Sequence, residues 1–493
     1  MKLVALFLVL CVVSGLMEAE TDSVGMLGAD GVPMEGESRP PTVRYLLREK
    51  SFTKEALRKL HLSHPFQIKA GAERKDELVE TFGHAHHAPK LASLGFELLQ
   101  TEEGWGGFSN PGYHNPKQLH EAFKKLESEF PKQAKIFDLT KEYNMDKTTE
   151  GRSIYALKVS DNVEKDESEP NVLIVSNHHA RELITPELIL DQATRLLKGY
   201  ATAERMERGD LGDANMEDEE MKEAADAKKI VDKNQLYMMW TMNPDGLNTV
   251  WTKDNWKRTN ARNVDLNRNY PIGWDLSCGG STDRSGETFR GDKPFSETET
   301  KTMRKLQENR NFAKVMDFHS YAEQVRTNYG NCAHLPKKID QKFEQIRNKV
   351  ANKMDYQASR SCCMGGNIHY AYNRHGSLAY LVETGRAFQP SAREKDATVK
   401  QVWPGVKKFL QQPISVSGIV TDKATGKPIP GASIKLSEYK FSQKEQHRSG
   451  ERGHYHLWIP NGKHQVEVHA KGKPVKKMEI EAKEGGNVQN IQL

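Results

Sequence analysis

Cysteine is scarce in this chain: there are five in 493 residues, and Cys11 lies in the leading apolar run, which leaves Cys278, Cys332, Cys362 and Cys363. None form a Cys-x-x-Cys pair, so a zinc-finger framework is excluded. In an oxidising compartment they allow up to two bridges, with three pairings open. Net charge is nearly absent as well. Lys and Arg number 72 against 67 Asp and Glu, a balance of +5, with the signs interspersed rather than striped. Nothing in that pattern argues for a nucleic-acid partner. No Asn stands in an Asn-x-Ser/Thr triplet, and no N-glycan is expected. Long apolar runs are missing after the start. Lys2 precedes the run Leu3 to Val13, and small residues near Ala19 offer a cleavage point, so residues 1–19 read as a secretory signal peptide too short to span a bilayer. The expectation is a secreted monomer without a transmembrane segment.

The length suggests two to four units. Residues 20–42 are rich in Gly, Pro and acidic side chains and read as a flexible segment. Residues 43–105 read as a small βα module, with a strand at Val43 to Leu47, helical patterns near Thr53 to Leu60 and Ala88 to Leu94, and Phe96 to Leu99 after them. The cluster His84, His86, His87 is taken as exposed loop histidines. From 113 to 411 helix and strand patterns alternate, which predicts an α/β domain around a mixed or parallel sheet. Lys117 to Phe130 reads as a helix on the spacing of Leu119, Phe123 and Leu126, Gln235 to Met242 as a strand ending in a turn at Asn243-Pro244-Asp245-Gly246, and the charged stretch 203–229 as a solvated helical excursion. From 414 to 493, short strand patterns and turns at Thr425-Gly426, Pro430-Gly431 and Pro460-Asn461-Gly462 predict a small β-sandwich.

The chemistry gathers at the ends of apolar runs. Val172 to Val175 leads into Asn-His-His-Ala-Arg-Glu, and Thr185-Pro186-Glu187 follows as a helix start, so His179 and Glu182 sit at the end of a buried strand. The carboxyl ends of strands in an open α/β sheet are where ligands collect. His319 ends the run Phe312 to Phe318, and Glu383 ends Ser377 to Val382. Taken singly, each is a surface His or Glu. Taken together, two imidazoles and a carboxylate leave a coordination position for water, the catalytic rather than the structural zinc arrangement. Glu383 is the candidate general base outside that set, and hydrolysis of an amide is the reaction such a site suits.

Five motifs then match one family in order: His179-Ala180-Arg181-Glu182, Asn243-Pro244-Asp245-Gly246, Asp265-Leu266-Asn267-Arg268-Asn269, His319-Ser320-Tyr321 and Glu383-Thr384-Gly385. Over residues 113–411 the chain resembles the M14 zinc carboxypeptidases, a family that itself exemplifies the two-His, one-Glu zinc set. The resemblance implies that His179, Glu182 and His319 hold one zinc ion and that Glu383 activates water. It implies that Arg258 steadies the developing oxyanion, with Lys257 as the competitor, and that Asn267 and Arg268 grip the terminal carboxylate of a peptide or protein. Arg181 would contact the substrate backbone across the scissile bond. Tyr356-Gln357-Ala358-Ser359 resembles a mobile loop whose tyrosine closes over that carboxylate, in a stretch five residues longer than in the digestive enzymes.

Ile368 aligns with the base of the side-chain pocket, and Gly330 stands where basic-specific relatives place an aspartate. The implied preference is for apolar or aromatic C-terminal residues. His369 departs from the acidic residue often found there and keeps mixed specificity open. The C-terminal sandwich resembles the transthyretin-like module of the regulatory branch, which usually cleaves basic residues, so a Lys/Arg carboxypeptidase is the alternative. An inactive peptide-binding member of the fold is the alternative of another class, and the full ligand set with Glu383 speaks against it. An amidase or endopeptidase is opposed by Asn267-Arg268, which would block a chain extending past the scissile residue. Residues 43–105 are either a propeptide or a permanent accessory unit.

Overall fold

A computed structural model describes residues 112–210, 216–330 and 332–493, together with the backbone of three earlier strands. Those strands, β1 (Thr42–Glu49), β2 (Leu78–His84) and β3 (Phe96–Glu102), form an antiparallel sheet in the order β2-β1-β3. β2 was not anticipated, and His84 pairs with Thr42 at its end rather than lying in a loop. The expected leader, the two helical patterns, His86 and His87 lie outside the described residues.

The central sheet is built from β4 (Ala134–Asp138), β5 (Tyr155–Val159), β6 (Asn171–Ser176), β7 (Gln235–Met239), β8 (Lys314–His319), β9 (Gln324–Thr327), β10 (Gln357–Arg360) and β11 (Leu378–Glu383). Its order is β10-β9-β11-β8-β6-β7-β5-β4. β7, β6, β8 and β11 are parallel to one another, whereas β9 and β5 run against their neighbours β11 and β7, so the sheet is mixed. β6, β7 and β8 are buried along their whole length, as expected of strands covered on both faces, although β8 carries Lys314 and Asp317 within its span.

Helices cover both faces: α1 (Pro116–Glu129), α2 (Leu139–Glu142), α3 (Ile184–Glu207), α4 (Asp218–Val231), α5 (Pro244–Thr252), α6 (Thr298–Arg310), α7 (Lys337–Met354), α8 (Asn367–His375) and α9 (Ala392–Leu410). Asn115 caps α1 in a capping box with Gln118, and Leu119, Phe123 and Leu126 are its buried stripe. Three local expectations are corrected. α3 begins at Ile184, so Thr185 and Pro186 sit inside its first turn, with Thr185 Oγ1 donating to Glu182 O at 2.8 Å. The Asn-Pro-Asp-Gly sequence opens a helix instead of a turn, Asn243 Oδ1 capping Gly246 N–H. The charged excursion contains α4, whose Ala224, Ala227, Ile230 and Val231 are buried. Charge there lines only one face.

After α9 come β12 (Val416–Thr421), β13 (Ser433–Leu436), β14 (His447–Arg448), β15 (His454–Leu457), β16 (Gly462–His469), β17 (Lys476–Ala482) and β18 (Ile491–Gln492), in sheets ordered β15-β12-β18 and β14-β13-β16-β17. β12 alternates buried and half-buried positions, the period of a sandwich strand. Cys278 and Cys332 are bridged, while Cys362 and Cys363 are free with their Sγ atoms 2.8 Å apart. Among the described residues no helix is long and apolar enough to cross a membrane.

Candidate active site

Because β6, β8 and β11 are parallel, their carboxyl ends lie at one edge of the sheet. The loop after β6 begins at Asn177, which adopts a positive φ of 58° and folds its amide back onto His179 O and Ala180 O at 3.1 and 3.2 Å. That turn delivers His179 and Glu182 beside His319. His179 Nδ1 lies 2.7 Å from Glu182 Oε1 and 3.1 Å from His319 Nδ1, and His319 Nδ1 lies 3.1 Å from Glu182 Oε2. Two imidazole nitrogens and a carboxylate thus face one point, and all three side chains are buried.

Behind each ring stands another carboxylate: Asp265 Oδ1 is 3.1 Å from His179 Nε2, and Asp317 Oδ1 is 3.3 Å from His319 Nε2. A carboxylate on the far nitrogen orients a ligating imidazole and raises its basicity. The place where the donors meet demands positive charge. Although burial works against a charged ring, Glu182 and Asp317 push the His319 pKa up to about 10. Burial likewise opposes ionisation of Glu182, yet His179 and His319 hold it well below the usual carboxylate range. Two imidazoles and a carboxylate, with further carboxylates behind the rings, form a donor set that fits zinc.

A second triad, His178, Asp317 and His319, also lies within ligand reach. Its polar atoms are already engaged. His178 Nδ1 is 3.1 Å from Asp317 Oδ1, its Nε2 is 3.2 Å from Tyr270 Oη, and Asp317 Oδ2 accepts from Asn367 Nδ2 at 3.0 Å. We read it as support for His319, not as a rival site.

Around the donors, Arg258 forks onto Asp265 Oδ2 through Nη2 at 2.7 Å and Nε at 3.2 Å, while its carbonyl accepts from Ala180 N–H at 2.9 Å. Lys257 instead donates to Asn263 Oδ1. Arg181 holds Glu287 through two nitrogens at 2.8 and 3.1 Å and lies over the Phe388 ring at 4.5 Å. Arg268 is half-buried, donates to Asn267 O at 2.9 Å, and feels Cys363, Asp265, Cys362 and Glu383. Gly365 and Gly366 let the following loop press on this pair: a Cβ would lie 3.0 Å from Arg268 O at the first and 2.6 Å from Asn267 Oδ1 at the second.

Asn267 Nδ2 lies 3.1 Å from His319 Nε2 and its Oδ1 accepts Asn367 N–H at 2.9 Å, so the amide braces the ligand ring. That use competes with the carboxylate grip expected of it. Ile368 is 1% exposed, in the apolar cluster with Leu381 on the face that carries Glu383. His369, next along α8, is buried beside Arg268, and burial followed by Arg268 pushes its pKa down to about 3.

Tyr356 corrects the reading of a mobile loop. Its ring is 6% exposed in the core, its hydroxyl accepts Gly385 N–H at 3.1 Å, and Gln357–Arg360 form β10 against β9. A buried, hydrogen-bonded phenol at the root of a paired strand does not swing over a substrate. Residues that sequence reasoning missed are His178, Asp317, Asn367 and Arg326. Asp317 had a usable signal, since it precedes His319 by two on a strand and shares its face. Arg326, whose Nη1 lies 3.2 Å from Glu383 Oε1, had none.

Residues 122–405 match the family described as zinc carboxypeptidase, and residues 415–493 match the carboxypeptidase regulatory-like domain. Metallocarboxypeptidase A of Trichophyton rubrum is 31% identical over 215 residues, 41% of this chain and 46% of the relative. The chain thus spans about half the length of the first curated relatives it matches. Carboxypeptidase A2 of Rattus norvegicus is 22% identical over 339 residues, 63% of this chain and 73% of the relative. Carboxypeptidase D of Drosophila melanogaster is 24% identical over 73% of this chain and 25% of its own. Among solved structures, thrombin activatable fibrinolysis inhibitor superposes with a TM-score of 0.58 at 18% identity, covering 75% of this chain and 97% of that one. Carboxypeptidase A from Helicoverpa armigera gives 0.52 at 19% identity, covering 75% and 96%. At such identities these structures establish the fold alone.

Proposed function

The chain belongs to the zinc carboxypeptidase family, and from that premise we propose that it is a zinc-dependent exopeptidase removing one residue from the C-terminus of peptides. The observation that carries this reading is the convergence of His179, Glu182 and His319, each ring backed by its own carboxylate, at the sheet edge where β11 ends in Glu383. Zinc, when bound, supplies Lewis acidity to the scissile carbonyl and makes water a stronger acid.

The chain's own residues supply the rest. Glu383 is the group that takes a proton from water and returns it to the leaving amine. Arg258, half-buried and paired with Asp265, keeps a fixed cation beside the ligand segment, where preorganised charge stabilises a developing oxyanion without reorganisation. Arg268 is the guanidinium for the terminal carboxylate, a bidentate match. Ile368 and Leu381 supply an apolar floor for the last side chain and leave its head group to be decided by the walls. Secretion follows from the leader expected over residues 1–19.

Turnover of blocked dipeptides should require metal and vanish with chelator. Glu383→Gln should lower kcat by about 10²- to 10⁴-fold with zinc still bound; undiminished turnover would remove Glu383 from this role.

A further inference from the structure

β9 runs antiparallel to β11, with Arg326 opposite Leu381 and Gln324 opposite Glu383. Residues directly opposite on neighbouring strands share a face. Arg326 therefore stands on the face that carries the proposed base and the apolar floor. Its guanidinium is aimed: Nε donates to Gln324 Oε1 at 3.0 Å, that oxygen also accepts from Ser359 Oγ at 3.1 Å, and Nη1 reaches Glu383 Oε1 at 3.2 Å. The two charged side chains are 21% and 15% exposed, so the pair is neither sealed in the core nor free in solvent. The Cys363 thiol reports the local field. Hydrogen bonding with Cys362 comes first, and against the effect of burial Arg268 and Arg326 add to it, so the thiol is held below its ordinary value.

Three kinds of C-terminal side chain can be weighed against this wall. Lys or Arg would add a third cation beside Arg268 and Arg326. Phe or Leu would suit Ile368 and Leu381 but would strip water from the Arg326 guanidinium and offer no acceptor. A carboxylate offers an acceptor in the geometry a guanidinium fork binds best. Its methylene stem rests on the apolar floor. It also draws Arg326 away from Glu383, leaving that oxygen open to accept a proton.

Resting on the carboxypeptidase reading, we propose that Arg326 is the specificity-determining residue and selects peptides ending in glutamate or aspartate. The test is kcat/KM of the zinc-loaded protein on blocked dipeptides ending in Glu, Phe and Lys, alongside NMR titration with the free products L-glutamate and L-phenylalanine. The wild type should favour Glu over Phe by at least about tenfold, with Lys the poorest. Arg326→Leu should lose tenfold or more on Glu and hold or gain on Phe, and Arg326→Lys should keep part of the Glu preference. L-glutamate should bind the wild type more tightly than L-phenylalanine, and Arg326→Leu should erase the difference. A wild type that favours Phe overturns the proposal, as does an Arg326→Leu variant that lowers all three substrates by one factor, since Arg326 would then only support Glu383. Preferential glutamate binding without any dipeptide cleavage would sink the exopeptidase reading and leave the acidic pocket standing.

Discussion

Among the described residues two clusters of buried histidines stand out, and only the one at the sheet edge brings three donor atoms within ligand reach of one another. At the sheet edge, His178, His179 and His319 stand among Glu182, Asp265 and Asp317, each ring with a carboxylate within about hydrogen-bond reach. Where the catalytic domain meets the C-terminal sandwich, His375, His447 and His456 are equally buried, yet the Nε2 of each has no hydrogen-bond partner. Burial alone pushes His447 down to about 4; at His375 burial, then Arg374, brings it to about 3. His456 is held well below its ordinary value by burial and then by the two other rings. The ligand atoms of the first cluster meet within metal reach, whereas burial holds the rings of the second neutral. Desolvation is common to both, and the carboxylates make the difference.

The sharpest way to break this contrast is deletion. His319→Ala should abolish stoichiometric zinc, measured by elemental analysis, whereas His456→Leu should leave it intact; metal loss from the second variant would erase the distinction. Next in size is the role of the backing carboxylates. Asp265→Asn should weaken zinc binding by about 10- to 100-fold in competition with a chromophoric chelator, and unchanged affinity would reduce Asp265 to a partner of Arg258.

The smallest expected effect is a pH dependence of stability. The interface rings are neutral in the fold, while the unfolded chain protonates its histidines near pH 6.5. Between about pH 6.5 and 4 the unfolded state therefore binds more protons, and stability falls as pH falls. His447→Leu should flatten the loss by about 3 kcal/mol, a few degrees in Tm at pH 4. In metal-free protein His319 works in the opposite direction. Its raised pKa gives stability that is complete below about pH 6.5 and is lost as pH climbs toward 10. A metal-free protein insensitive to pH across that upper window would mean that no proton stands in for the cation.

His179, Glu182, His319 and Glu383 were legible in the sequence because each closes an apolar run, and parallel strands bring such ends to one edge. The α/β domain, the C-terminal sandwich and the buried stripe of α1 were legible from period and turn chemistry for the same local reasons. Tyr356 was not, because its surroundings depend on β10 pairing with β9, a contact that the letters Tyr-Gln-Ala-Ser do not encode. Arg326 was hidden in a four-residue strand whose partner is more than fifty positions away, so the register that sets it beside Glu383 exists only in the folded sheet. Asp265 was quoted within a motif without its task, which is visible only when His179 and Arg258 are seen on its two oxygens.

The Trp458 indole N–H donates to Ala313 O at 2.9 Å, Asn311 Nδ2 donates to His454 O at 2.6 Å, and Gln446 N–H donates to Asn373 O at 3.0 Å. Ala313 is the residue immediately before the strand that ends in His319, so the appended sandwich is fastened to the root of the very element whose tip bears a donor. A truncation at the end of α9 would leave the Ala313 and Asn373 carbonyls without donors and Asn311 Nδ2 without its acceptor, and would wet an apolar seam. One melting transition for both units is the expected outcome in calorimetry, with the sandwich a buttress of the hydrolytic half; two separated transitions would make it a bead on a string.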